Sequence, residues 1–180
     1  MDMDERRYDA DWVELHDYTP TWRSRFEREQ KVLAEALGDV ALDIQHVGST
    51  SVPGLCAKPI IDIIVGVRSL KQFSVCDIRT LEQLGYVFRG DAGIAGRLFF
   101  RKGVPRAQFH LSVVAKDGEQ WTKHVLFRDY LRHHESDAKA YASLKMTLAS
   151  QYSHDRTTYT SRKGPLIAAI LRKAYRWRNA

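Results

Sequence analysis

The chain has 180 residues, 44% apolar and 28% charged, with a formal net charge of +6; these proportions suit one soluble globular domain with a sizeable core. No apolar run approaches the roughly 20 residues that cross a bilayer, and the charged start from Met1 to Arg7 has no apolar stretch behind it, so neither a membrane partner nor a secretory signal is expected. Two cysteines, Cys56 and Cys76, lack metal-type spacing and are too few for a disulfide framework, which makes a reduced, cytoplasmic protein the expectation.

Residues 1–18, rich in Asp and Tyr, read as a loosely structured lead-in segment, and residues 19–180 as a single domain. Thr19-Pro20 offers an N-cap followed by Pro at the first helical position. Trp22, Phe26, Leu33 and Leu37 recur at helical spacing until Gly38 ends the pattern. Val40 to His46 reads as a strand entering a turn at Gly48. Ile60 to Val67 is β-branched and apolar nearly throughout, as a strand buried on both faces is. Leu70 to Leu84 suits a helix closed by Gly85. Extended segments follow at Tyr86–Arg89, Arg97–Lys102 and Gln108–Ala115, separated by Gly and Pro. From Gly118 the pattern is helical, with helices at 119–132, 135–152 and 156–177; on the second of these, Ala138, Tyr141, Ala142, Lys145 and Leu148 share one stripe. The sum is an α+β fold: an N-terminal helix, a mixed sheet and a helical C-terminal third.

Charge is unevenly spread. Residues 1–120 hold 16 Lys+Arg against 18 Asp+Glu, and residues 121–180 hold 12 against 4. Two readings stand for the basic last third: solvated helix faces, or a surface that attracts a polyanion such as a nucleotide, a coenzyme phosphate or RNA.

Four stretches carry chemistry. Gly48-Ser49-Thr50-Ser51 follows a strand and precedes a short helical turn, where exposed amides and hydroxyls cradle phosphate. It lacks the second Gly followed by Lys of a Walker A loop, and as a capped turn it is common. Asp62 stands in the middle of an apolar strand, where a lone carboxylate is costly unless paired or metal-bound; a pair with Lys58 or an arginine is the structural alternative. His110 shares a strand face with Gln108 and Ser112, and is a candidate acid–base group, a metal partner for Asp62, or a hydrogen-bonded structural histidine. Finally, Arg128 and Arg132 are four apart on a helix and His124 continues their face, a pattern fit to clamp phosphates or simply to face solvent. Lys145, Arg156, Tyr159 and Lys163 follow, mixing charge with an aromatic ring.

Together, His46 through Leu55, Ala57 through Ile63, Arg97 through Arg101, Phe127 through Arg132, and Asp155-Arg156 with Tyr159 and Lys163 resemble the GrpB (UPF0157-type) family over about Thr19 to Trp177. That family is similar to the domain fused to dephospho-CoA kinase in some bacteria. The resemblance implies a nucleotidyltransferase-like fold, in which Gly48 and Ser49 match the Gly-Ser turn and Asp62 the first strand carboxylate. Such enzymes carry two acids two residues apart to hold divalent metal; here the second position is Ile64. The family strand tends to read His-Leu-His-Val, and Ser112 stands where the second histidine falls.

The expected function is therefore binding of a nucleotide or other phosphate-bearing small molecule, with transfer of a nucleotidyl or phosphoryl group to a small acceptor as its active form. In that form Gly48, Ser49, Thr50 and Ser51 hold phosphate oxygens. Lys58, Arg97, Arg101, Arg128, Arg132 and Lys163 neutralise charge, and Asp62 and His110 are catalytic, with Asp62 binding Mg²⁺ or Mn²⁺. The alternative is a non-catalytic nucleotide- or CoA-binding module with a degenerate metal site. RNA association through the basic third ranks after both.

Overall fold

In the computed structural model, residues 13–179 are described. The expected lead-in segment thus falls mostly outside the described residues; its last part runs extended, and His16 bridges Ala57 in antiparallel fashion.

Helix α1 spans Thr21–Leu37, with Pro20 at its cap in helical geometry and the Thr19 hydroxyl accepting the Thr21 N–H at 3.3 Å. It buries Trp22, Phe26, Leu33 and Leu37, and adds Glu29 to that stripe. The Glu29 carboxylate accepts from the Tyr86 hydroxyl at 3.0 Å and the Lys102 ammonium at 2.7 Å, which is how a charge is tolerated there. A 3₁₀ turn at Gly38–Val40 delays strand β1 to Asp43–Val47. Strand β2 is Ile61–Val67. The single helix expected over 70–84 is instead split. A 3₁₀ turn at Leu70–Gln72 is followed by helix α2 at Val75–Gln83. The cause is a capping box: the Ser74 hydroxyl accepts the Asp77 N–H while the Asp77 carboxylate accepts the Ser74 N–H, which fixes a new helix start. Strands β3 (Tyr86–Phe88), β4 (Arg97–Lys102) and β5 (Phe109–Ala115) follow. Helices α3 (Glu119–His133), α4 (Glu135–Gln151) and α5 (Arg156–Arg178) complete the chain, within a residue or two of the expected spans. No helix among the described residues is long and apolar enough to cross a membrane.

The sheet order is β1-β2-β5-β4-β3. Strands β2 and β5 are parallel and the other neighbours antiparallel, so the sheet is mixed. Alternation divides its two faces. One face carries Ile44, Ile61, Ile63, Val65, Leu111, Val113 and Phe100 against α1 and α2, forming the main core. The other carries Val47, Ile64 and Val114 against Trp121 of α3. Gly66 belongs to that second face, and a Cβ there would meet the Trp121 ring at 2.9 Å, so the bare backbone is what lets α3 lie close. Helices α3, α4 and α5 pack on one another through Leu126, Tyr130, Leu131, Tyr141, Ile170 and Ala174, closing over the end of the sheet where β2 and β5 begin.

Candidate functional site

The β1–β2 connection turns at Gly48, whose φ of 71° and ψ of −173° fall in a region that only glycine occupies readily. A 3₁₀ turn at Ser49–Ser51 follows. Two of its hydroxyls are committed to backbone: Ser51 Oγ donates to the Gly48 carbonyl at 2.6 Å, and Thr50 Oγ1 donates to the Ile60 carbonyl at 3.3 Å. Thr50 Oγ1 also lies 3.0 Å from His46 Nε2, so with its own proton committed to Ile60 it accepts the imidazole N–H. His46 stacks on Phe26 and is held neutral: burial pushes its pKa down to about 4, with Asp62 opposing and Arg132 and Arg128 assisting.

Asp62 sits directly behind this turn. A Cβ placed on Gly48 would lie 2.3 Å from Asp62 Oδ2, so glycine is required for the turn and the carboxylate to meet. The other oxygen, Oδ1, is 3.1 Å from His110 Nδ1. Residues 62 and 110 are register partners across the parallel β2–β5 pair, so the sheet itself sets that contact. Burial pushes the Asp62 carboxyl up, but the His110 bond and the charges of His110, Lys58 and His124 outweigh it and hold it below the usual carboxylate range. Asp62 lies deep in the fold, yet its side chain is 40% exposed because it opens onto a cavity of about 470 Å³. His110 Nε2 is buried with no hydrogen-bond partner among the described residues.

The helices supply positive charge to the same cavity. Lys145 of α4 donates to Ser49 Oγ at 3.0 Å and to the Cys56 carbonyl, tying α4 to the turn. Lys58 and Lys163 lie over the Tyr159 ring at 6.0 and 4.2 Å, and Arg156 lines the same wall. Burial is the main cause that pushes all three lysines down to about 8; for Lys163 the neighbouring charges of Lys58, Lys145 and Arg156 add to it. Among the described residues lining the cavity Asp62 is the one carboxylate, and Phe127, Tyr141, Ile167 and Leu171 form an apolar flank. His124 also faces in, its pKa lowered by burial.

The expected residues therefore divide. Gly48, Ser49, Thr50, Lys58, Asp62, His110 and Lys163 converge on the cavity, with Ser51 at the back of its turn. Arg128 and Arg132 do not join His124. They border a second cavity of about 670 Å³ behind the turn. Arg128 donates to Gln45 Oε1 and the His46 carbonyl, both at 2.9 Å, and Arg132 donates twice to the Ser51 carbonyl, at 3.0 and 2.7 Å. The reason is helix rise: eight residues advance about 12 Å, so one stripe spans both sides of the turn. Arg97 stacks on Phe99 and donates to the Asp91 and Ala92 carbonyls. Arg101 stands beside His110 in the β4–β5 register, where burial and Arg156 lower its pKa. Neither lines the cavity.

A phosphate-bridging divalent ion does not fit this donor set. Asp62 provides one carboxylate, already bonded to His110, and the second acid position is Ile64, fully buried against Val47, Val114 and Trp121. Among the described residues no group of three or more His, Cys, Asp or Glu is placed to hold a metal. The contributions of Tyr141 and Gln120 went unmarked in the sequence. Lys145 left a signal, a lysine inside an otherwise apolar stripe, since it is 2% exposed.

Comparison with known proteins agrees with the motifs. The family model described as GrpB protein matches residues 12–173. The UPF0157 protein YqkA of Bacillus subtilis is 37% identical over 92% of this chain; the chain spans about half, 48%, of that relative's length. The glutamate-rich protein GrpB of Alkalihalophilus pseudofirmus is 36% identical over 88% of this chain and 94% of its own. The crystal structure of conserved protein GrpB from Enterococcus faecalis superposes with a TM-score of 0.86 at 33% identity, covering 93% of this chain and 100% of that one. A dephospho-CoA kinase of Mycolicibacterium paratuberculosis is 27% identical over 88% of this chain and 45% of its own length. A looser overlap with the Cid1 poly(U) polymerase, 11% identical over 74% of this chain and 42% of that one at a TM-score of 0.49, is too slight to bear on function.

Proposed function

The chain belongs to the GrpB family, and from that premise we propose that its main cavity binds a nucleotide or another phosphate-bearing small molecule on the Gly48–Ser51 turn. One observation carries the reading: Lys58, Lys145, Lys163 and Arg156 face a common space in which Asp62 is the one carboxylate among the described residues of the wall. Like charges crowded into a partly dehydrated site repel one another, and an anionic ligand relieves that repulsion. Ser49 at the turn supplies a directional contact to phosphate oxygens, and the apolar flank of Phe127 and Tyr141 suits an attached organic group.

Two forms of this function remain from the sequence, and Ile64 favours binding without chemistry, since its place in the core leaves Asp62 without a second acid. In the transferase form, an acceptor hydroxyl attacks a phosphorus of the bound nucleotide, its proton passes to Asp62, the leaving phosphate departs, and the lysines carry the developing charge. A CoA-type ligand, with its own phosphates and adenine, suits the same walls. RNA is the weaker partner, because Arg128, Arg132, Lys145, Arg156 and Lys163, among the twelve basic residues of the last third, face the two cavities.

Thermal-shift screening with the four ribonucleoside triphosphates and CoA tests the binding. A ligand at 100 times its Kd adds about 2.7 kcal/mol of stability, and no shift with any of them refutes the proposal. Labelled nucleotide incubated with an acceptor panel then separates the two forms: turnover by the wild type that Asp62→Ala abolishes establishes transfer, and equal product from both rules it out.

A further inference from the structure

We propose that the cavity takes its phosphate ligand as the metal-free anion, with the ammonium groups of Lys58, Lys145 and Lys163 in the place of a divalent cation; this rests on the phosphate reading above and narrows it. Three features of the site lead there independently.

The first is what closes the metal position. Ile64 stands two residues after Asp62 and is fully buried between Val47, Val114 and Trp121. That point of the strand therefore offers the cavity no second carboxylate. The second is the state of Asp62. One of its oxygens is engaged by His110 Nδ1 and the other faces the Gly48 turn, so the carboxylate is already partnered before a ligand arrives. A divalent ion bridging phosphates is held by one or two carboxylates, and the one offered here is already bonded to His110.

The third is how the cations are held. Lys145 is anchored on Ser49 and the Cys56 carbonyl at the floor of the turn. Lys58 and Lys163 are placed by the Tyr159 ring and make no hydrogen bond or ion pair with a described residue. Two ammoniums without an ion-pair partner among the described residues, and a third beside the Ser49 hydroxyl, make a preformed anion cradle. A magnesium ion carried in with the phosphates would add positive charge to this cluster and compete with the lysines for the same oxygens. The free polyphosphate brings more negative charge and leaves its oxygens open, so it matches these walls better than its magnesium complex.

The test is calorimetric titration of the full chain with ATP, once in EDTA and once in excess Mg²⁺, at matched ionic strength because screening alters charge–charge binding. The expected result is a Kd in EDTA equal to or below that in Mg²⁺. Lys163→Met, which removes a repelling charge and keeps the apolar stem, is expected to weaken binding in EDTA at least fivefold while retaining the folded circular dichroism spectrum. Tightening by Mg²⁺ beyond threefold, or an unchanged Kd in Lys163→Met, overturns the inference and leaves the phosphate reading in place. Absence of ATP binding in both buffers overturns the inference, and the phosphate reading falls with it when the ribonucleotide and CoA screen is equally blank.

Discussion

Replacing Lys163 by methionine is expected to make the empty protein more stable while making it a poorer binder. In the unfolded chain a lysine keeps its proton up to about pH 10.4; in the folded cavity burial, with Lys58, Lys145 and Arg156 adding to it and Asp62 opposing, pushes Lys163 down to about 8. That difference corresponds to about 3 kcal/mol against the charged form at neutral pH, and screening by cavity water leaves about 1–2 kcal/mol of it. Methionine retains the apolar stem without the charge. For a chain of this size the gain translates into a rise in Tm of about 2–8 °C. The sign with pH follows from the depressed value. Below pH 8 the wild type bears the whole cost of the buried charge. Between 8 and the unfolded value its folded state sheds the proton and the cost fades, so the advantage of the variant shrinks as pH rises. Urea unfolding of both proteins, followed by tryptophan fluorescence at pH 7 and pH 9.5, measures this. A variant less stable than wild type at pH 7, or an advantage that is the same at both pH values, refutes the electrostatic account of the cavity.

Gly48→Ala is expected to cost about 3 kcal/mol in urea unfolding, from a glycine-only backbone angle and a Cβ 2.3 Å from Asp62 Oδ2; Asp62→Ala in the same chain should recover part of it, and a single variant within 0.5 kcal/mol of wild type is the contrary outcome. Arg128→Met strips a donor from Gln45 and the His46 carbonyl and is expected to destabilise by about 2–4 kcal/mol, read from its denaturant midpoint; an unshifted midpoint means the buried arginine does not brace the turn. Affinity for ATP is expected to fall at least tenfold between pH 7.5 and 9.5, since Lys58, Lys145 and Lys163 lose their protons near 8; a flat profile in calorimetry would show that these three do not hold the ligand.

How much of this is legible in the sequence depends on the range of the interaction. The helices of the last third and the stripe of α1 come through because periodicity is local. The break before α2 was also written locally, in Ser74 and Asp77 three residues apart, but the apolar positions on either side masked it. Asp62 announces itself as an acid in an apolar strand, and alternation puts His110 on a polar face. Their meeting is a matter of register between strands 48 residues apart, which no periodicity records. The failure of Arg128 and Arg132 to join His124 has the opposite origin. A shared helical face is a local truth, but which part of the sheet lies beneath each turn of α3 is set by Gly66 and Trp121. Lys145 was visible as an anomaly in its stripe, and only the position of the Gly48 turn gives that anomaly a meaning.

The pairing of residues 62 and 110 across β2 and β5 has an evolutionary consequence. The carboxylate and the imidazole are carried by the two central strands, whose opposite faces are the main core. A one-residue slip of either strand would turn that core outward, so the packing of the core fixes the register that brings positions 62 and 110 together. The lysines hang from α4, α5 and a connecting loop, where a substitution alters the rim of the cavity and leaves the sheet untouched. Descendants of such a protein can exchange ligands by editing helices while inheriting the same acid–histidine anvil, and divergence in what they bind is expected to accumulate around Lys145, Arg156 and Lys163 before it touches Asp62.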